Sequence, residues 1–261
     1  MIMMKTRNAV AIAAGLLTGA VAQAQSPAKT DSTESKPAAP ITVSAEVNFT
    51  NTYGIPRGFN PFPHASAQPN IVASMPVRGL TTGVGIWENI ALVDGKTRGG
   101  QPFKAGEVQE SDYFAFVGGK VGKTGVTLGY QQINITGLET LKEVQLTLEP
   151  DLPLHPKVFA VQDISAGSRR LGGEKQQYIE AGISKKIFDK NGVVMNAGAA
   201  AAYNRQYTVP TSGFAGGRVE LSLEKELGPV KVNVNYRQFK KSSNHEFTTD
   251  YKQVGLTVKT K

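Results

Sequence analysis

No cysteine occurs in the 261 residues. That absence excludes disulfides, thiol chemistry, thiolate metal sites and lipoprotein acylation. Histidine is scarce: only His64, His155 and His245 are present. Beyond the N-terminal segment there is no run of about twenty apolar residues, so no transmembrane helix is expected. No stretch of the mature chain holds a 3.6-residue apolar period, so a helical domain is not expected either. Charged residues make up 19% of the chain and mean hydropathy is −0.23. An average of that kind also fits a membrane barrel, because its strands alternate apolar and polar residues.

What is present begins with an export signal. Lys5 and Arg7 supply the positive start, Asn8 to Val21 an uncharged apolar core, and Ala22-Gln23-Ala24 a small-x-small cleavage site. Residues 1–24 are therefore expected to be a cleaved signal peptide, with Gln25 the first mature residue. Residues 25–40 are rich in Ser, Thr, Lys, Ala and Pro and have no period; they read as a flexible periplasmic leader. Of the formal charge of +8, Lys5 and Arg7 carry two, leaving +6 on the mature chain.

Residues 41–261 repeat one device. In Ile41 to Tyr53, Ile41, Val43, Ala45, Val47, Phe49 and Tyr53 are apolar or aromatic and the residues between them polar, with Asn51 the one break. Such a strand has one greasy and one wet face, and is long enough to cross a bilayer at the usual tilt. The same alternation recurs at Pro69 to Val77, Leu80 to Ile86, Tyr113 to Val117, Val126 to Tyr130, Val144 to Leu148, Val158 to Ile164, Ile179 to Ile187, Val193 to Tyr203, Val219 to Leu223, Val230 to Tyr236 and Val254 to Val258. The connections alternate in length. Short ones fall at Arg78-Gly79, Lys120 to Thr124, Pro150 to Pro156, Asp189 to Gly192 and Leu227 to Pro229. Longer polar ones fall at Gly54 to Gln68, Val93 to Glu110, Ser165 to Lys175, Gln206 to Ala215 and Lys241 to Thr249, with Asn134 to Leu138 the exception. About twelve strands, an even number with sorted turns, predict an all-β, transmembrane, antiparallel up-and-down barrel in the outer membrane. A soluble sandwich gives no reason for that sorting. Tyr53, Tyr130, Tyr203 and Tyr236 are expected in an aromatic girdle near the outer strand ends.

Parity then assigns the lumen. The pore-lining candidates are Glu46, Asn48, Trp87, Glu143, Glu180, Arg218, Glu220, Lys231, Asn233 and Arg237. Arg218, Lys231 and Arg237 lie on consecutive strands and read as one basic stripe facing the glutamates. An inward Trp87 suits either stacking on a sugar or aromatic solute or packing against a loop. Glu88 is then outward, so it sits at the outer interface or a bulge resets the register there. Enzymatic constellations are poor: Ser243-x-His245 is a loop dyad, and Gly167-Ser168-Arg169 lacks the strand-turn-helix of a nucleophile elbow. Asp94, Glu107, Glu110 and Asp112 read as loop acids without specific cation-ligand spacing.

The run from Val43 through Leu92 resembles the TorF family of small Gram-negative outer-membrane porins. The residues that carry the resemblance are Tyr53, Arg57-Gly58, Gly85-Ile86-Trp87 and Glu88-Asn89, continued by Tyr113 to Tyr130, Gly192 to Tyr203 and the final Val254-Gly255-Leu256-Thr257-Val258. The resemblance implies an outer-membrane barrel with a transport role and no known substrate. The last strand ends Val258-Lys259-Thr260-Lys261, without the aromatic residue usual in such barrels. The expected function is a porin-like channel for passive diffusion of small polar solutes, not an enzyme, with no cofactor and no metal. The expected partners are outer-membrane lipid and lipopolysaccharide, the outer-membrane assembly machinery and small polar solutes, with no nucleic acid. A channel for acidic oligosaccharides and a secreted all-β ligand-binding module are the alternatives.

Overall fold

A computed structural model describes residues 40–55, 59–97, 100–137, 140–165, 176–207, 212–242 and 250–260. The expected signal peptide, nearly all of the leader, Arg57-Gly58, the core of the Ser165 to Lys175 loop and the Ser243/His245 pair lie outside the described residues.

The strands are β1 (Thr42–Thr50), β2 (Tyr53–Ile55), β3 (Phe59–Phe62), β4 (Ser66–Val77), β5 (Leu80–Ala91), β6 (Gly95–Lys96), β7 (Pro102–Phe103), β8 (Val108–Val121), β9 (Thr124–Ile135), β10 (Leu141–Pro150), β11 (Lys157–Asp163), β12 (Gln177–Lys190), β13 (Val193–Arg205), β14 (Ser212–Leu227), β15 (Val230–Lys241) and β16 (Tyr251–Thr260). Twelve of them form one closed antiparallel barrel; β2–β3 and β6–β7 are small hairpins in two of the longer connections. The barrel closes where β1 pairs with β16, Val47 opposite Val258 and Phe49 opposite Leu256. Closure leaves no sheet edge unpaired, which a strand protein in hydrocarbon requires.

The alternation sets the two faces. Val84, Tyr113, Ile183, Val219, Leu221 and Val254 point outward and are each about half exposed, at 48–59%. So much bare apolar surface is ill matched to water and well matched to lipid. Ala45 and Val47 keep this outward parity but are only 5% and 2% exposed, so of the expected lipid-facing residues from Ile41 to Phe49 it is Ile41 and Val43 that lie open. The short turns gather at one end. Arg78-Gly79 and Asn191-Gly192 have positive φ at both central residues (50° and 82°; 53° and 73°), the hairpin geometry whose twist suits the flanking strands.

Tyr203 is outward, 48% exposed and close to the long-connection end of β13, as a girdle needs, whereas Tyr130 and Tyr236 are outward at mid-strand, Tyr236 opposite Leu221. Tyr53 is not part of a girdle. The alternation breaks at Asn51 because β1 ends at Thr50; Asn51 then caps the neighbouring strand, its Oδ1 accepting from Val254 N–H at 2.8 Å. The chain turns into the barrel mouth as the β2–β3 hairpin. Tyr53 there stacks on Phe62 (ring centroids 5.9 Å apart) and meets Trp87 at 5.4 Å. Gly54 lies against the Tyr251 ring, where a Cβ would be 2.6 Å from ring carbon, and Tyr251 stacks on Phe239 at 5.7 Å.

Candidate functional site: the barrel lumen

Cross-strand register places all ten lumen candidates on the inner face. Glu46 opposes Asn70, Asn70 opposes Trp87, and Trp87 opposes Asp112. Glu143 opposes Gln131 and Asp163, Arg218 opposes Ala200 and Phe239, and Glu220 opposes Arg237. Lys231 and Asn233 share that face of β15 near the short-turn end. Glu88 points outward opposite Ser111, and the register shifts just beyond it, between Asn89 and Ile90.

Among the described residues, two lobes of the lumen stand out. One, of about 620 Å³, is lined among others by Glu46, Asn48, Tyr53, Trp87, Phe114, Phe116 and Arg237. The other, of about 570 Å³, is lined among others by His155, Lys157, Glu180, Arg218, Glu220 and Arg237. Gln131, Gln145 and Thr147 on one wall and Arg237 on another belong to both, so they form the waist. Glu143, Lys231 and Asn233 line neither lobe. Glu143 is fully buried and accepts from Gln145 Nε2 at 3.2 Å, while Lys231 is at the short-turn end.

The expected basic stripe does face glutamates, and each of its three members is paired with one. Arg218 Nη2 lies 2.7 Å from Glu180 Oε1, and its Nη1 3.7 Å from Glu220. It reaches Glu180 on β12 because the intervening inner residues of β13 are Gly198, Ala200 and Ala202, too small to block the way. Tyr178 Oη donates to the other oxygen of Glu180 at 2.9 Å. Arg237 Nε meets Glu220 at 3.2 Å and its Nη1 donates to Gln253 Oε1 at 3.4 Å. Lys231 pairs with Glu224 at 2.9 Å, Lys259 with Glu46 at 3.6 Å and Lys157 with Glu149 at 3.1 Å. Parity names the inward residues but not their partners, and like charges on neighbouring strands interleave with opposite ones.

The first lobe has a different wall. Asn48 Nδ2 donates to Gln68 Oε1 (2.8 Å), Gln68 Nε2 to Asn89 Oδ1 (3.1 Å) and Asn89 Nδ2 to Gln109 Oε1 (2.8 Å). This amide chain runs across four strands, each member donating to the next. Asn70 Nδ2 donates to Glu46 at 3.1 Å, and Gln131 Nε2 to Asp112 at 2.6 Å. Glu110 and Asp112, expected as loop acids, lie instead within β8 and are 2% and 5% exposed. The inward Phe114 and Phe116 escaped the parity reading because Tyr113 to Val117 is five apolar residues in a row. The signal that marks them is glycine. Gly83 and Gly85 lie opposite them on β5, and a Cβ there would sit 2.5 Å and 2.3 Å from the Phe116 and Phe114 rings.

His64 holds the carbonyl of Lys96 at 3.1 Å and packs on Phe103 in the β6–β7 region, while His155 faces the second lobe.

No family model matches the chain, and no curated protein matches it in sequence. Among solved structures it is similar to a KdgM porin at 8% identity and a TM-score of 0.49, over 84% of this chain and 98% of that one. A NanC porin gives 6% identity and a TM-score of 0.47, over 84% and 98%. Outer membrane phospholipase A from Escherichia coli gives 11% identity and a TM-score of 0.45, over 88% and 94%.

Proposed function

We propose that this chain is an outer-membrane channel for passive diffusion of small polar solutes, a member of the TorF kind of small porin. One observation carries the reading: two open lobes, lined by polar and apolar side chains alike, that meet at a shared waist inside a closed barrel. A lumen built only for stability would be filled by side chains, as it is around Tyr178, Tyr207 and Val161 near one end. The export signal read over residues 1–24 and the leader over 25–40 fit delivery to the outer membrane. Lipid and lipopolysaccharide there meet the exposed apolar face, after insertion by the assembly machinery. That same face speaks against a secreted binding module. It is a channel and not an enzyme on this reading, without cofactor or metal. A route for acidic oligosaccharides is the weaker version, because Arg218 and Arg237 already face carboxylates.

The test is single-channel recording in planar bilayers with the purified, refolded protein. Discrete conductance steps that vanish on heat denaturation are expected; a folded barrel that inserts and carries no current overturns the channel reading.

A further inference from the structure

The first lobe holds more than space. Phe116, Phe114, Trp87 and Tyr53 all line it. Phe114 and Phe116 are two residues apart on β8; Gly83, Gly85 and Trp87 follow at the same spacing on β5, with Asp112 opposite Trp87. The two glycines explain how the rings lie. Each phenyl rests across a backbone that has no Cβ, which holds it against the wall instead of across the lumen. Both rings remain only half-buried and thus keep a face open to the lobe. Trp87 continues the row towards the mouth, and Tyr53 of the hairpin extends it, 5.4 Å from Trp87.

Hydrogen-bonding groups line the same lobe, among them Asn48 and Gln145. The charges near them are occupied: Glu46 by Asn70 and Lys259, Asp112 by Gln131, and Arg237 by Glu220 and Gln253. An aromatic row beside neutral donors and acceptors matches one solute chemistry. A pyranose presents a flat C–H face to a ring and a rim of hydroxyls to amides, and carries no charge that needs a free counter-ion.

We propose that this row is a binding track for neutral saccharides, which deepens the channel reading and names its solute class. Trp87 is the only tryptophan of the chain. Its fluorescence in the detergent-folded barrel therefore reports occupancy without any need for current. The probes are maltotriose, cellotriose and chitotriose, with trigalacturonate as the acidic comparison and a polyethylene glycol of similar mass as a hydroxyl-poor one. A saturable Trp87 response to at least one neutral trisaccharide is expected. In Phe114→Leu/Phe116→Leu it should weaken tenfold or more, with folding verified by heat-modifiable gel mobility. In bilayers, the same sugar should block current in wild type, should retain most of that block in Trp87→Phe and should lose it in Trp87→Leu. Failure of every neutral trisaccharide to change Trp87 fluorescence overturns the track, as does a response to trigalacturonate alone or an equal response to polyethylene glycol. A saturable response in a barrel that carries no current keeps the track and removes the channel.

Discussion

Arg218 is the residue on which the inner charge arrangement turns. It joins Glu180 and Glu220, and its side chain is 17% exposed against 12% and 34% for theirs. Arg218→Ala leaves two carboxylates short of a partner, a loss of about 1–3 kcal/mol for hydrogen bonds to charged groups. Urea titration of the barrel folded in detergent micelles should show it. Lys186→Ala is the comparison. That pair, with Asp189, is half exposed on both sides, so it should cost under about 0.5 kcal/mol. The same residues govern ion preference. Arg218→Gln with Arg237→Gln unmasks Glu180 and Glu220 in the second lobe, where charges are less screened than at the open mouth. Reversal potential across a salt gradient should move towards cations. An unchanged value in a conducting double variant would place these residues off the conduction path. Gly85→Ala belongs here too. Its Cβ would meet Phe114 at 2.3 Å and the Ile71 carbonyl at 2.7 Å, and backbone cannot yield cheaply. We expect a loss of about 1–3 kcal/mol, as for other overpacked sites, in the same titration.

At the level of the strand, parity is the organising property. Leu221 and Ser222 are neighbours on β14, one outward and 48% exposed, the other inward opposite Asn196 and Asn235. Leu221→Arg near the midplane should cost about 2–4 kcal/mol in folding titrations into lipid vesicles, whereas Ser222→Arg should be far milder. Equal costs would mean that the register is wrong. That register was legible in the sequence wherever apolar and polar residues strictly alternate, as in β1, Val144 to Leu148 of β10 and Val230 to Arg237 of β15. In Tyr113 to Val117 the outward set of Tyr113, Ala115 and Val117 was legible from its spacing, but both faces are apolar there, so nothing marked Phe114 and Phe116 as lumen residues. Nor did the alternation announce the path of the chain after Asn51. The break in alternation is visible, but the inward turn of β2–β3 rests on contacts of Tyr53 with Trp87 and of Gly54 with Tyr251, partners far away in the chain. The ion pairs were half legible: every charged member could be placed on a face, but its partner depends on which neighbours between them are small, such as Ala200.

Across the whole barrel, the short turns sit at one end and the longer connections at the other. A cysteine at Gln101, between β6 and β7, should react with an impermeant maleimide in intact cells. One at Asn191 should not. The native chain contributes no background thiol. Reversed labelling would invert the topology. The seam has a consequence of another kind. Ala45 N–H donates to Thr260 Oγ1 at 3.0 Å, so the first and last strands meet side by side. Their ends lie at the short-turn end of the barrel, which makes the fold a ring with an arbitrary cut. Joining residue 260 to residue 42 by a short linker, and opening the chain between Asn191 and Gly192 instead, gives a circular permutant that keeps every strand pairing. The permutant should fold into the same barrel, because the order in which the strands are threaded is not what holds them together.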